Sequence, residues 1–317
     1  MTESTFTTAA VVGAGMMGPG IAVTLALGGL RTTILGRTGE TAAKGLEKAH
    51  AWVRLLEESR LTEPERARWA METLRAGTLF DETIATADLV IESVPERMSL
   101  KQELFARMDL IARPAAVLAS NTSGLSITAV ASKCLRPERV LTTHFWNPAH
   151  LMPLVEIVKG EKTSEQTAQG MRKLLTDCGK TPVLVRKDRP GQLGNRLLMA
   201  LLREAVNIVA EGIADAEDVD LAAKSGFGLR LPVYGIFEHA DLVGLDLSHA
   251  VLDYTARDLY SQPQAPPLLE EMLGRGDLGV KSGRGFYDWS KKSAEDVAAR
   301  RDRFVAEFLR SGFGGRR

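Results

Sequence analysis

The chain of 317 residues is long enough for two domains, each with its own core, and its composition is that of an ordinary globular protein. Its 40 basic and 40 acidic residues cancel, and no apolar run reaches the length of a membrane span, so neither nucleic acid nor a membrane is an expected partner. The opening residues do not read as a secretory signal, and Cys134 and Cys178 stand apart with no disulfide framework or metal-ligand spacing, so a cytoplasmic, metal-free protein is expected.

The first element is the apolar run from Ala9 to Val12, short enough for one buried strand. Gly13, Gly15 and Gly18 follow at once, with Ala14, Met16 and Met17 between them, and then a helical apolar pattern through Ile21, Leu25 and Leu27. Gly28 and Gly29 end that pattern, and the run from Thr32 to Leu35 reads as a second strand. A strand, glycine turn, helix and strand over about 30 residues is the dinucleotide-binding crossover. Gly13 permits the tight turn, Gly15 lets a pyrophosphate approach the backbone, and Gly18 lets the helix pack against the strand. Gly13, Gly15, Met16, Met17 and Gly18 are therefore expected at the cofactor. The end of the second strand usually carries an acid that holds the adenosine ribose. Gly36 and Arg37 stand there instead, so nothing repels a 2′-phosphate, and NADP(H) is expected to bind at least as well as NAD(H).

Residues 40–76 are charged and helical in pattern, with Thr62 placed as the N-cap of a second helix. A strand follows over 87–94, then a helix over 97–112 and a short strand over 115–119. The runs 140–143, 154–158 and 182–185 read as further strands, with a helix over 164–178. Strands alternating with helices predict an α/β fold, a Rossmann-like doubly wound sheet over 1–188. Beyond Asp188 the pattern turns helical, with helices at 193–211, 215–224, 232–240, 246–260 and 295–310. Residues 189–317 are thus expected to form an all-helical C-terminal domain for dimerisation and substrate binding, its spare apolar faces buried in a symmetric homodimer.

Five histidines are present, and His144 ends a predicted strand on the side where such sheets bind ligands. An imidazole is suited to taking an alcohol proton as hydride leaves, and a carboxylate on its other nitrogen, here Glu156, would fix its tautomer.

These residues carry a resemblance. Gly13 to Gly20, Ser120 to Ser123, His144 to Pro148, Leu154 to Glu156, Pro190 to Arg196 and Leu278 to Tyr287 are similar, in order, to the motifs of the L-3-hydroxyacyl-CoA dehydrogenase family of fatty acid metabolism. The resemblance implies that His144 and Glu156 are the acid–base pair and that Ser123 and Asn195 hydrogen-bond the substrate oxygen. It implies that Asn147 helps to place the nicotinamide and the substrate, and that Glu96, Lys101, Asn121 and Lys281 touch the cofactor. Three departures stand out. Gly36 and Arg37 replace the family's usual Asp; Glu57 and Glu58 lie where acyl-CoA members tend to carry lysines; and His150 follows Asn147 in a branch similar to dehydrogenases of smaller free hydroxy compounds. His150 is thus a possible contact for a substrate carboxylate or a loop residue bonded to backbone. The expected activity is NAD(P)-dependent oxidation of a 3-hydroxyacyl-CoA. A free 3-hydroxy acid or aromatic hydroxy compound is the alternative substrate, and a non-catalytic, crystallin-like nucleotide binder is the rival of another class.

Overall fold

The computed structural model describes residues 6–312. They form two compact units, the first made of 6–193 together with Val305–Arg310, the second of 194–304.

The first unit is built on one eight-stranded sheet. β1 (Thr8–Val12), α1 (Gly18–Leu27) and β2 (Arg31–Leu35) are the predicted crossover, with β1 and β2 parallel. α2 (Gly39–Glu58) and α3 (Pro64–Thr73) are the charged pair that follows, and α2 begins with a capping box between Thr38 and Thr41. α3 is capped by Glu63 with Pro64 in its first turn, one residue later than Thr62 would place it. A three-residue strand, β3 (Arg75–Gly77), and α4 (Phe80–Thr86) are elements that the pattern gave no signal for. β4 (Leu89–Glu92), α5 (Met98–Ile111), β5 (Val117–Ser120), α6 (Ile127–Val130), β6 (Val140–Phe145), β7 (Leu154–Lys159), α7 (Glu165–Asp177) and β8 (Thr181–Val185) complete the unit.

The strand order is β3-β2-β1-β4-β5-β6-β7-β8. The chain leaves β1 in one direction to build β2 and β3, then returns to β1's other side with β4, so the switch point lies between β1 and β4. Side chains of the central strands alternate between two cores. Ala9, Val11, Leu89 and Ile91 join Ile21, Leu25 and Val53 on one face, while Ala10, Val12, Val90 and Leu118 meet Phe105 and Met108 on the other. Burial on both faces is why these strands read as continuous apolar runs. All pairings are parallel except β6 with β7, which is antiparallel. Val305, Ala306 and Leu309 also pack against the first of these cores.

The second unit is helical: α8 (Gly194–Ala210), α9 (Ala216–Ser225), α10 (Phe227–Arg230), α11 (Ile236–Val243), α12 (Leu245–Thr255), α13 (Pro267–Gly274) and α14 (Ala294–Arg310), whose last turns belong to the first unit. Val206 is the one buried residue of α8, while Leu197, Leu198, Leu201 and Leu202 are 42–53% exposed. No helix of the described residues is long and apolar enough to cross a membrane, and none of them gather as a metal-holding cluster.

One buried cation ties the loop after β6. Lys180 Nζ donates to the carbonyls of Ala149 (2.7 Å) and Met152 (2.9 Å). Burial pushes its ammonium down to about 7, and pushes the nearby Cys178 thiol up to about 12. Below pH 7 both folded and unfolded chains hold the lysine proton and the burial cost is felt in full. Above it the folded chain sheds the proton while the unfolded chain keeps it, so this group makes stability rise with pH. Between pH 7 and 8.5, denaturant unfolding of the wild type is expected to gain about 1 kcal/mol per pH unit over Lys180→Met. Equal slopes in the two proteins would contradict this.

Candidate active site

The carboxyl ends of β1 and β4 make the nucleotide end of the site. Gly13 sits at φ 122°, and a Cβ there would overlap the Ser93 carbonyl; a Cβ on Gly18 would overlap the carbonyl of Gly13. The turn is thus folded tightly on itself. Gly15 differs, because an added Cβ there meets no atom within 4 Å. Its lack of a side chain serves the space outside the turn, where a pyrophosphate would approach. The first turn of α1 has no side-chain cap and no acidic residue, so its N–H groups and the positive end of its dipole remain for an anion. Met16 is 75% exposed over this turn. These features fit a dinucleotide held by Gly13, Gly15, Met16, Met17 and Gly18.

Further along the same edge, antiparallel pairing places His144 of β6 directly opposite Glu156 of β7. Residues so paired point to one face of the sheet. The His144 Nδ1 lies 2.7 Å from Glu156 Oε2, and its Nε2 lies 3.1 Å from Ser123 Oγ. With Nδ1–H donated to the carboxylate, Nε2 is left with its lone pair toward the serine hydroxyl. Glu156 is fully buried and takes two more donors, Trp146 Nε1 at 3.0 Å and the Leu193 amide at 2.9 Å. Its two oxygens are fixed from three sides, so the imidazole plane is fixed as well.

The turn after β5 presents Ser123, and a buried charge network shapes it. Glu92, at the end of β4, accepts from Lys101 Nζ (2.6 Å), Ser120 Oγ (2.6 Å) and the Val94 amide (2.6 Å). Lys101 also pairs with Glu96 at 3.3 Å. Glu96 in turn accepts from the Thr122 hydroxyl and from the amides of Ser123 (3.1 Å) and Gly124 (3.3 Å). Burial acts to raise the Glu96 carboxyl, but the Thr122 hydroxyl, the Lys101 charge and the Gly124 amide outweigh it and hold it below the usual range.

Lys101 is 1% exposed and pairs with Glu92 and Glu96, so its ammonium holds the Glu96 carboxylate beside the Ser123 turn. Asn121 Oδ1 accepts from the Phe145 amide at 2.9 Å, tying the Ser123 turn to the strand that carries His144. Asn147 is exposed and precedes a cis proline, Pro148. His150 stacks on Trp52 of α2, with ring centroids 4.3 Å apart, and its loop packs closely on Gly20 of α1. That is a packing role between the loop and two helices. Gly36 has no room for a side chain, since a Cβ would crowd the Ala42 backbone, and Arg37 beside it is exposed. In the second unit, Asn195 lies in the first turn of α8, and Lys281 is exposed in a turn closed by bridges from Arg284 to Gly279 and Asp288.

Glu92, Ser120, Trp146 and Gln192 were not singled out from the sequence. Glu92 had a signal: an acid inside an apolar strand is costly unless it is paired. Gln192 lay within the Pro190 to Arg196 motif, but its bond to the Thr122 carbonyl joins residues 70 positions apart and leaves no local mark.

Comparison with known proteins agrees with this architecture. Residues 8–189 match the model of the 3-hydroxyacyl-CoA dehydrogenase NAD-binding domain, and 191–289 that of its C-terminal domain. A probable 3-hydroxybutyryl-CoA dehydrogenase of Bacillus subtilis is 39% identical over 286 residues, covering 90% of this chain and 98% of its own. The 5-formyl-3-hydroxy-2-methylpyridine 4-carboxylate 5-dehydrogenase of Mesorhizobium japonicum is 34% identical over 299 residues, covering 93% and 94%. A solved structure of an enzyme of that name, described as an NAD+-dependent dismutase, superposes with a TM-score of 0.90 at 32% identity, covering 98% of this chain and 100% of that one. The chain belongs to the 3-hydroxyacyl-CoA dehydrogenase family, and is an oxidoreductase with an NAD-binding domain.

The difference between the glycines yields a prediction. Gly15→Ala is expected to leave the melting temperature of the cofactor-free protein unchanged while weakening NAD(H) binding about tenfold or more, as a methyl group stands where the pyrophosphate must come. Titration by nicotinamide fluorescence reads the second effect; undiminished affinity would contradict the assignment.

Proposed function

We propose that the chain catalyses reversible hydride transfer between the nicotinamide and a hydroxyl-bearing carbon beta to a carboxyl or thioester, with His144 and Glu156 as the acid–base pair. The observation that carries this is the continuous line from Glu156 through the His144 ring to Ser123 Oγ, at 2.7 and 3.1 Å. Ser123 would bind the substrate oxygen, His144 Nε2 would take its proton during oxidation and return it during reduction, and Glu156 would stabilise the imidazolium. The bound nicotinamide supplies the hydride chemistry. Asn195 is assigned as a second donor to the substrate oxygen, and Glu96, Asn147 and Lys281 as cofactor contacts. His144→Ala is expected to lower turnover about 1,000-fold with cofactor affinity nearly unchanged. Wild-type turnover in this variant would remove the base assignment; the crystallin-like, non-catalytic reading would instead require that the wild type itself shows no turnover.

A 3-hydroxyacyl-CoA is the primary substrate. A second reading, a free hydroxy or formyl ring compound, has a specific observation behind it. Glu57 and Glu58 are exposed at the end of α2 with no base in its last turn, which suits a CoA phosphate poorly. Acetoacetyl-CoA reduction separates the two: no turnover would select the ring compound.

The crowding at Gly36 and the exposed Arg37 support use of NADP(H) at least as readily as NAD(H). The ratio of kcat/KM for the two cofactors is expected at one or above in favour of NADP(H); a preference of about tenfold or more for NAD(H) would refute it. The exposed leucines of α8 support a homodimer formed through the helical unit; the isolated Cys134 and Cys178 support a reducing, cytoplasmic location.

A further inference from the structure

Gln192 is held in a way that folding alone does not reward. Its backbone lies at φ 53°, in the left-handed region where a residue with a Cβ is strained. Its side chain is 6% exposed and its amide is half used. Nε2 donates to the Thr122 carbonyl at 2.9 Å, while the buried Oε1 meets no donor among the described residues. Glycine would relieve the backbone and an apolar side chain would remove the buried acceptor, so stability does not account for this residue.

What the residue gains is position. Thr122 immediately precedes Ser123, whose hydroxyl faces His144 Nε2, and Leu193, immediately after Gln192, donates its amide to Glu156 Oε1. The amide of Gln192 therefore fastens the segment that steadies Glu156 to the turn that carries Ser123. Asn121 fastens the same turn to Phe145 on the other side of His144.

We propose that Gln192 is a positioning residue for the reaction, setting the separation of Ser123 Oγ from the His144–Glu156 pair. The inference rests on the acid–base reading above. Loosening this tie lets the hydroxyl-binding and proton-moving groups drift apart without touching the glycine turn, and a misplacement of about 1 Å is enough to cost as much as 100-fold in rate.

The test replaces Gln192 with Met, which keeps its length and loses the amide, and measures kcat, cofactor Kd and melting temperature on the substrate that the wild type turns over. The expected result is a fall in kcat of about tenfold or more, with cofactor Kd within about twofold and the melting temperature nearly unchanged. Unchanged kcat would overturn the proposal, and so would losses of kcat, cofactor affinity and melting temperature in step, which is what a purely structural role predicts. Should the Met variant fail to fold, Gln192→Gly, which relieves the left-handed backbone, supplies the same reading. His144→Ala, assayed alongside, keeps the two ideas apart. Turnover retained there sinks the acid–base reading, whereas an inactive His144→Ala beside fully active Gln192 variants sinks this inference alone.

Discussion

One antiparallel pairing in an otherwise parallel sheet places the imidazole and carboxylate on which the proposed chemistry depends. Because β6 and β7 run in opposite directions, His144 and Glu156 face one another across a single ladder step, twelve residues apart in sequence. A parallel neighbour would have needed a long crossover and a different register to bring an acid to the same place. The pairing makes the geometry a property of the sheet, so the imidazole is aimed by backbone hydrogen bonds as well as by its own.

The rest of the first unit meets that pair from two directions. From β4 and β5 comes the Glu92, Lys101 and Glu96 network, which gathers the Ser123 turn around buried charges. Such a network is costly to desolvate and is favourable only when every member is bonded, a condition that Ser120, Thr122 and three backbone amides meet here. From the loop after β8 come the Leu193 amide and the Gln192 carboxamide. The nucleotide turn lies on the same edge of the sheet, at the switch between β1 and β4, where a doubly wound fold opens a crevice.

Much of this was legible in the residues. The glycine turn and its flanking strands follow from local rules, since tight approach and apolar burial leave marks within a few positions. His144 and Glu156 were legible by chemistry and by their places at strand ends. The strand β3 was not, because three residues flanked by charged helices carry no periodicity, and α4 is too short to show one. The burial of Lys101 between Glu92 and Glu96 was not legible, because it depends on the acid at the end of the preceding strand folding in beside it. His150 was read either as a substrate contact or as a loop residue bonded to backbone; its stacking on Trp52 depends on two helices meeting a loop about 100 residues away. Contacts of that range are set by tertiary packing, which sequence pattern does not encode residue by residue.

The account stands most directly on the part given to the buried carboxylate. Glu156→Gln keeps the shape of the side chain and one acceptor oxygen but removes its charge, so it removes the stabilisation of a protonated His144. In single-turnover oxidation followed by formation of reduced nicotinamide, the account predicts hydride transfer slowed about 100-fold or more, with cofactor bound as in the wild type. Transfer at the wild-type rate would contradict it.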